Sequence, residues 1–195
     1  MTNSTQIKVW DPLVRFFHWS LVTAFIIAYI TEEELMSVHS WAGYLILGLV
    51  CIRFFWGFIG TPYARFTDFV YSPSSVLIFL KDTMKLKAQR YIGHNPAGGA
   101  MVVALMLSLL LTTISGILVF GAEENSGPVA HWFSQTNSFW GDVLEETHEF
   151  FANFTLLLVF IHVIGVIVES LIHRENLVAA MWTGFKNRKN TEENL

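Results

Sequence analysis

Charged residues, cysteine and proline are all scarce in this sequence of 195 residues. Lys, Arg, Asp and Glu make up only 14% of the chain, whereas 53% of it is hydrophobic. A soluble domain has about a quarter of its residues charged, so the deficit indicates that much of the chain lies in an apolar solvent. The single cysteine, Cys51, excludes an intramolecular disulfide framework and a metal site built from several thiolates. We expect one integral membrane domain over residues 1–195.

Four apolar runs are long enough to cross a bilayer. About 20 apolar residues span the hydrocarbon layer, and the runs cover residues 13–31, 38–59, 97–120 and 146–169. The first run lacks a cleavage site of small residues, so we expect it to be retained as a span. The pattern predicts an all-α bundle of four transmembrane helices.

The link between the second and third runs contains a basic amphipathic segment, residues 72–90. Apolar residues alternate there with Lys81, Lys85 and Lys87. This pattern is typical of a helix that lies on the membrane surface, and the alternative is a solvated connector. We expect a surface helix.

Basic residues are confined to one side of the predicted membrane. All twelve Lys and Arg residues lie near the start of the first run, from the end of the second run through the long link, or after the fourth run. The intervening segments, residues 31–37 and 121–145, carry only acidic charge. Short loops rich in Lys and Arg stay in the cytoplasm, so we predict that both termini are cytoplasmic.

Four of the seven histidines lie in or at the mouth of a predicted span: His18, His39, His148 and His162. Ionisable side chains at membrane depth usually face the interior of the bundle and are functional. His148 and His162 share one helix, on which their 14-residue separation gives a rise of about 21 Å and an angular offset of about 40°. Such a pair cannot bind one metal ion, but it can supply one ligand to each of two stacked cofactors.

Topology pairs these histidines by depth. His39 and His148 both lie near the outer side, whereas His18 and His162 lie nearer the inner side. Each couple therefore joins two helices at one level, as axial imidazoles on opposite faces of a haem require. The alternative is that these histidines only form hydrogen bonds between helices. A zinc or proton transporter would need intramembrane carboxylates, which the third run lacks, and an oxidase would need an open iron site and a further metal cluster.

Three other polar residues near the inner side have more than one interpretation. His94, in the segment GHNPAGG, either caps the third helix, replaces His18 as a ligand, or bonds a quinone or a haem propionate. Arg15 and Arg53 either extend to the lipid headgroups or pair with propionates of an inner haem.

Two polar residues and a glycine lie near the outer couple. Glu149 or Asn153 could orient His148 by a hydrogen bond. Gly116 could leave room for a flat macrocycle or simply allow close packing of helices.

Five segments in order along the chain resemble one known family: residues 9–21 (VWDPLVRFFHWSL), 38–66, 93–99 (GHNPAGG), 147–166 and 173–184. The chain resembles the prokaryotic cytochrome b561 family and the related cytochrome b subunits of nickel–iron hydrogenases. The resemblance implies a four-helix cytochrome of the bacterial inner membrane with two b-type haems. It also implies that His18, His39, His148 and His162 are the ligands.

The functional expectation is electron transfer between the quinone pool and a periplasmic or membrane redox partner, either a cytochrome c or a catalytic subunit. Membrane lipid is the other expected partner, and nucleic acid is not. We expect the quinone near the inner haem and the protein partner at the acidic outer face. One alternative is a haem-bearing membrane anchor of a larger complex such as a nickel–iron hydrogenase. A second is a standalone superoxide:quinone oxidoreductase.

Overall fold

A computed structural model of the protein describes residues 6–32, 34–133 and 138–188. In chain order the elements are β1 (Gln6–Lys8), α1 (Pro12–Ile30), α2 (Met36–Ile59), a 3-10 turn (Pro62–Ala64), α3 (Phe66–Phe69), α4 (Pro73–Met84), α5 (Pro96–Ala122), α6 (Ala130–Phe133), α7 (Ser138–His173), α8 (Leu177–Thr183) and β2 (Phe185–Asn187).

Four of these helices, α1, α2, α5 and α7, are long and apolar enough to cross a membrane. They confirm the predicted helical chain with four spans, and the protein is a multi-pass membrane protein. Helix α7 begins at Ser138, earlier than the predicted residue 146, because an apolar run marks where a helix enters hydrocarbon rather than where it starts. Beside the helices, β1 and β2 form one short antiparallel sheet, which does not alter the all-α membrane class.

The surface helix is shorter than the predicted segment 72–90. Helix α4 begins after Ser72, whose side chain accepts a hydrogen bond from the backbone N–H of Ser75, and it ends at Met84. Leu86 has a φ of 58°, in the left-handed region, and this turn stops the helix. The side chain of Phe79 is buried, while Leu77 and Met84 on other faces are exposed.

Contacts divide the chain into two compact units, and the expectation of a single domain stays a prediction. The first unit comprises Met1–Phe16, Trp56–Ala100 and Val163–Leu195. Its apolar core contains Val9, Trp10, Val14 and Ala64. Strands β1 and β2 pair within this unit, and the backbone N–H groups of Val9 and Trp10 both donate to the carbonyl of Gly184.

Pairing of β1 with β2 places the two ends of the described chain side by side. The register joins Gln6 to Asn187 and Lys8 to Phe185. Gly184, with a φ of 90°, makes the turn from α8 into β2 without the steric cost that a side chain would bring. Both ends therefore lie on the same side of the membrane, as four spans require, and the assignment of that side to the cytoplasm stays a prediction.

Asp11 organises the start of α1 in the first unit. Its side chain is 5% exposed and accepts hydrogen bonds from the backbone N–H of Val14 at 2.9 Å, the indole of Trp56 at 3.0 Å and the hydroxyl of Thr61 at 2.6 Å. Burial raises the pKa of this carboxyl, but the hydrogen bonds from Thr61, Val14 and Trp56 outweigh burial and lower the pKa. One carboxylate thus caps α1 and binds the turn after α2.

A buried charge cluster also lies in the first unit. The guanidinium of Arg90 donates to the carboxylate of Glu175 at 2.7 Å and to the carbonyl of Asn187 at 2.8 Å. The ammonium of Lys186 lies 3.8 Å from the same carboxylate. Burial lowers the pKa of Lys186, while the charge of Glu175 opposes that shift. These contacts connect the link before α5 to the end of the described chain.

The second unit comprises Phe17–Phe55 and Met101–His162, and it is a bundle formed by parts of the four long helices. Ala24, Ile46, Val50 and Leu109 form its buried apolar core. Thr155 on α7 is fully buried, and its hydroxyl hydrogen bonds to the hydroxyls of Ser108 at 2.6 Å and Thr112 at 3.0 Å on α5. Satisfied hydroxyls of this kind hold membrane helices together where apolar contact with lipid gives no preference.

We predict that Asp11→Ala lowers the free energy of unfolding by about 2 kcal/mol at neutral pH, because a helix cap and charge-assisted hydrogen bonds are lost. The pKa of Asp11 is lower in the folded state, so its stabilisation is present above the ordinary value of 3.8 and is lost as the pH falls through the lower folded pKa. Thermal unfolding in detergent measures both effects. Asp142→Ala, at an exposed site, is the matched control; equal stability of the two variants would contradict the prediction.

Candidate cofactor site

The four histidines singled out in the sequence all belong to the second unit. His18 lies on α1, His39 on α2, and His148 and His162 on α7. All four side chains are partly buried. The structure therefore gathers into one bundle the residues that the sequence placed on three separate helices.

The outer couple, His39 and His148, is brought together. Their ring centroids are 6.1 Å apart and the ring planes are nearly perpendicular, at 86°. The Nδ1 atom of His39 lies 2.8 Å from the carbonyl oxygen of Ala28. The Nδ1 atom of His148 lies 2.9 Å from the carbonyl oxygen of Thr112 and 3.2 Å from the hydroxyl of Ser115. A carbonyl only accepts, so in both rings Nδ1 carries the proton and Nε2 has the free electron pair.

Local helix geometry explains why these acceptors are available. Ala28 is in the last turn of α1, where the regular helical bonds to backbone carbonyls end. Its carbonyl accepts long bonds of 3.4 Å from the backbone N–H and the hydroxyl of Thr31, so it can also accept from His39. Thr112 is in the middle of α5, but Gly116, one turn later, lets the His148 ring approach the helix. A Cβ atom at Gly116 would lie 2.8 Å from Cε1 of His148. The glycine is therefore required by the imidazole itself.

The spacing of the outer couple fits two axial ligands of one iron. A metal–imidazole bond is about 2 Å long, which puts the ring centroid about 3 Å from the metal and the centroids of two opposed rings about 6 Å apart. The observed separation is 6.1 Å. Beside this couple, nothing lies within 4 Å of the Cβ position at Gly43, one turn after His39.

The inner couple, His18 and His162, is close enough for the two side chains to interact electrostatically. The Nδ1 atom of His18 is buried and has no hydrogen-bond partner among the residues that the structure describes. A buried imidazole nitrogen without a partner is costly. Its environment thus differs from that of the outer couple, in which both Nδ1 atoms are hydrogen bonded.

Two residues near His148 do not make the contact that the sequence suggested for them. Glu149 and Asn153 are exposed, and the contacts that orient His148 come instead from Thr112 and Ser115. Sequence reasoning missed Thr112 because its contact is made by a main-chain carbonyl, which carries no signature in the sequence. It missed Ser115 because the contacting hydroxyl is one of several on that helix. The only hint was the run of Ser and Thr on the third span.

The three polar residues that the sequence placed near the inner side do not all belong to the same unit. The ring of His94 lies in the first unit and packs against Trp10 and Phe69, at centroid distances of 4.7 and 4.8 Å. The guanidinium of Arg15 donates to the backbone carbonyl of Trp182, also in the first unit. Arg53, by contrast, is 2% exposed and belongs to the second unit.

Within residues 6–32, 34–133 and 138–188, no three His, Cys, Asp or Glu side chains converge on a point where they could hold a bare metal ion. The paired histidines offer two imidazoles at each level. Two imidazoles suit a metal whose remaining positions are filled by a macrocycle.

Comparisons with known proteins point the same way. A family model described as prokaryotic cytochrome b561 matches residues 9–184. The chain is 24% identical over 221 residues to a probable Ni/Fe-hydrogenase B-type cytochrome subunit of Rhizobium leguminosarum bv. viciae, covering 94% of this chain and 91% of that protein. It is 22% identical to a protein of the same name from Azotobacter vinelandii, covering 95% and 91%. No solved structure gives a significant match.

We predict that Gly116→Leu disrupts the outer couple, because the new side chain occupies the space of the His148 ring. If each couple holds one group, we expect the variant to lose about half of the haem per chain. The ratio of haem, measured as pyridine haemochrome, to protein gives this value. Gly48→Leu is the matched control, since nothing lies within 4 Å of the Cβ position there. Full haem content in the Gly116→Leu variant would contradict the proposed position of His148.

Proposed function

Because this chain belongs to the prokaryotic cytochrome b561 family, we propose that it binds two b-type haems and carries electrons between a quinone and a redox partner protein. The observation that carries the proposal is the outer couple: two imidazoles from different helices, 6.1 Å apart, each with Nδ1 satisfied and Nε2 available. The two Nδ1–H groups join neighbouring helices by bonding to the carbonyls of Ala28 and Thr112. Those bonds leave both Nε2 atoms, and it is these atoms that the proposal assigns to a metal.

Family membership establishes part of this function. The family consists of b-type membrane cytochromes, so the cofactor is haem b and the role is electron transport. The four apolar helices make the protein multi-pass, as expected for the bacterial inner membrane. The number of haems, their ligands and the quinone belong to our proposal.

In the proposed mechanism, His39 and His148 would hold one haem, and His18 and His162 would hold the other. When bound, the haems supply one-electron transfer. Two imidazole ligands leave no open coordination position, which favours electron transfer over chemistry at the iron. The carbonyls of Ala28 and Thr112 fix the orientation of the outer imidazoles, and the apolar core of the bundle excludes water. His148 and His162 are about 21 Å apart along α7 by the helical rise, so the two couples serve different depths.

Charge separates the two ends of the proposed path. Glu123, Glu124, Glu145 and Glu146 are all exposed in the second unit, and the predicted outer segments carry no basic residue. We infer that this acidic outer face receives a basic redox protein. The quinone is then placed near the inner couple, where the predicted cytoplasmic side is basic.

A second candidate function is a haem-bearing anchor of a larger complex. Two relatives with about a quarter or less of their residues identical are named Ni/Fe-hydrogenase B-type cytochrome subunits, and each is covered over 91% of its length. Under this alternative, a bound catalytic subunit delivers electrons at the outer face. Co-purification of an iron–sulfur or hydrogenase subunit would favour it. Reduction of quinone by the isolated chain, with quinol or superoxide as donor, would favour a standalone oxidoreductase.

We predict that the purified protein shows the reduced-minus-oxidised spectrum of b-type haem with two haems per chain. His39→Ala and His148→Ala should each lose the same haem, and the double variant should lose no more than either single variant, because both histidines hold one iron. Haem-to-protein ratio and difference spectra measure this. His131→Ala, at an exposed site on α6, should retain both haems. A colourless protein, or loss of different haems in the two variants, would overturn the proposal.

We predict that replacing Glu123, Glu124, Glu145 and Glu146 with Gln slows electron exchange with a basic cytochrome c by about tenfold at low ionic strength, because electrostatic steering is lost. Stopped-flow measurement of haem oxidation tests this, and the difference should fade at high salt. Asp68→Asn with Asp82→Asn, in the link after α2, removes acidic charge elsewhere and should leave the rate unchanged. Equal rates for the fourfold variant and the wild type would reject the acidic face as a docking site.

A further inference from the structure

The two histidine couples differ in what their Nδ1 atoms contact. In the outer couple, both Nδ1–H groups donate to backbone carbonyls, from His39 to Ala28 at 2.8 Å and from His148 to Thr112 at 2.9 Å. In the inner couple, no such acceptor is present for His18 or His162 among the described residues. The asymmetry therefore lies in the protein contacts of the ligands, since all four ligands are histidines.

A hydrogen bond from Nδ1–H to a carbonyl makes the imidazole a stronger electron donor at Nε2. A stronger donor stabilises ferric iron more than ferrous iron, which lowers the reduction potential of the haem. Ala28 adds to the effect, because the last turn of α1 carries the negative end of the helix dipole. Both contacts act on the outer couple.

Ser115 adds a further contact to His148. Its hydroxyl oxygen lies 3.2 Å from Nδ1 of His148, while its own proton is donated to the carbonyl of Thr112 at 3.0 Å. The Nδ1–H group is thereby shared between two acceptors, the Thr112 carbonyl and the Ser115 hydroxyl. Ser115 is 6% exposed, so this contact is shielded from water.

Fixed charge acts in the opposite direction at the inner level. Arg53 follows His39 on α2 by 14 residues, the same interval that separates His148 from His162 on α7. The two helices are predicted to run in the same direction, so Arg53 lies at the depth of the inner couple. Its guanidinium is permanently charged, and the residue is only 2% exposed. A buried positive charge favours the ferrous state of a nearby haem and raises its potential.

We propose that these contacts set a potential gap across the protein, with the outer haem at the lower potential and the inner haem at the higher one. Ser115 is then a positioning residue that tunes the outer haem through His148, and Arg53 tunes the inner haem through its charge. The gap favours electron movement from the outer face towards the inner side. This inference rests on the proposed two-haem function and gives that function a direction.

Burial does not account for the gap. A more buried haem has a higher potential because the ferric form carries the extra positive charge. All four histidines fall in the same intermediate range of exposure, neither fully buried nor exposed. The exposed acidic residues of the outer face lower the outer potential too, but water and salt screen them, so they count for less than the buried contacts.

The test is a dye-mediated redox titration of the holoprotein and of variants, followed by the spectra of both haems. The outer haem is identified as the one absent from His148→Ala. In the wild type it should titrate at the lower potential. Ser115→Ala should raise the potential of that haem and leave the other unchanged, whereas Ser115→Thr, which keeps the hydroxyl, should restore the wild-type value. Thr113→Ala is the matched control, because the Thr113 hydroxyl is buried on the same helix but bonds only to carbonyls of α5.

The reciprocal arm uses Arg53→Gln, which should lower the potential of the inner haem and leave the outer haem unchanged. Arg65→Gln removes a partly exposed guanidinium, paired with Asp68 in the link after α2, and should move neither haem. An outer haem at the higher potential overturns the inference. So does a Ser115→Ala variant with an unshifted outer haem, or an Arg53→Gln variant with an unshifted inner haem. A protein with two haems that fails to react with quinone would contradict the proposed function. The measured potentials of its two haems would still test the proposed potential gap.

Discussion

An imidazole between membrane helices needs a partner for each of its two nitrogens, and this need governs the second unit of the protein. Nδ1–H requires an acceptor, and Nε2 requires a donor or a metal. In the outer couple the backbone supplies the acceptors, through the Ala28 carbonyl at the end of α1 and through a mid-helix carbonyl that Gly116 exposes on α5. The remaining nitrogen of each ring is then available for a metal.

Two other buried polar side chains, Thr155 and Asp11, are also paired. In an apolar solvent each buried polar atom needs a nearby partner, because lipid offers none. Thr155 meets this need by bonding to Ser108 and Thr112, which also joins α7 to α5. Asp11 meets it in the first unit by accepting three hydrogen bonds from the start of α1, from α2 and from the turn after α2.

Matching ligands do not imply matching cofactor environments. Both couples consist of two histidines, yet under our proposal the protein contacts of the outer couple would favour ferric iron, and Arg53 would favour ferrous iron at the inner level. In the proposed arrangement such a difference would make the step from the outer haem to the inner haem downhill, whereas two haems at equal potential would make that step thermoneutral. The proposed difference comes from main-chain carbonyls and one buried arginine, without any change of ligand type.

Sequence alone determined the four spans, their approximate ends and the four histidines, because hydrophobic length and the cost of a buried imidazole are properties of residue type. It also indicated the family, since short motifs keep their order along the chain. Tertiary structure decided which acceptors orient His39 and His148, that Asp11 joins the VWDP segment to the turn after α2, and that β1 pairs with β2. The carbonyls of Ala28 and Thr112 are invisible in a sequence because every residue has one. Only the fold determines which carbonyls meet an imidazole, since that depends on where helices end and where a glycine lets them approach.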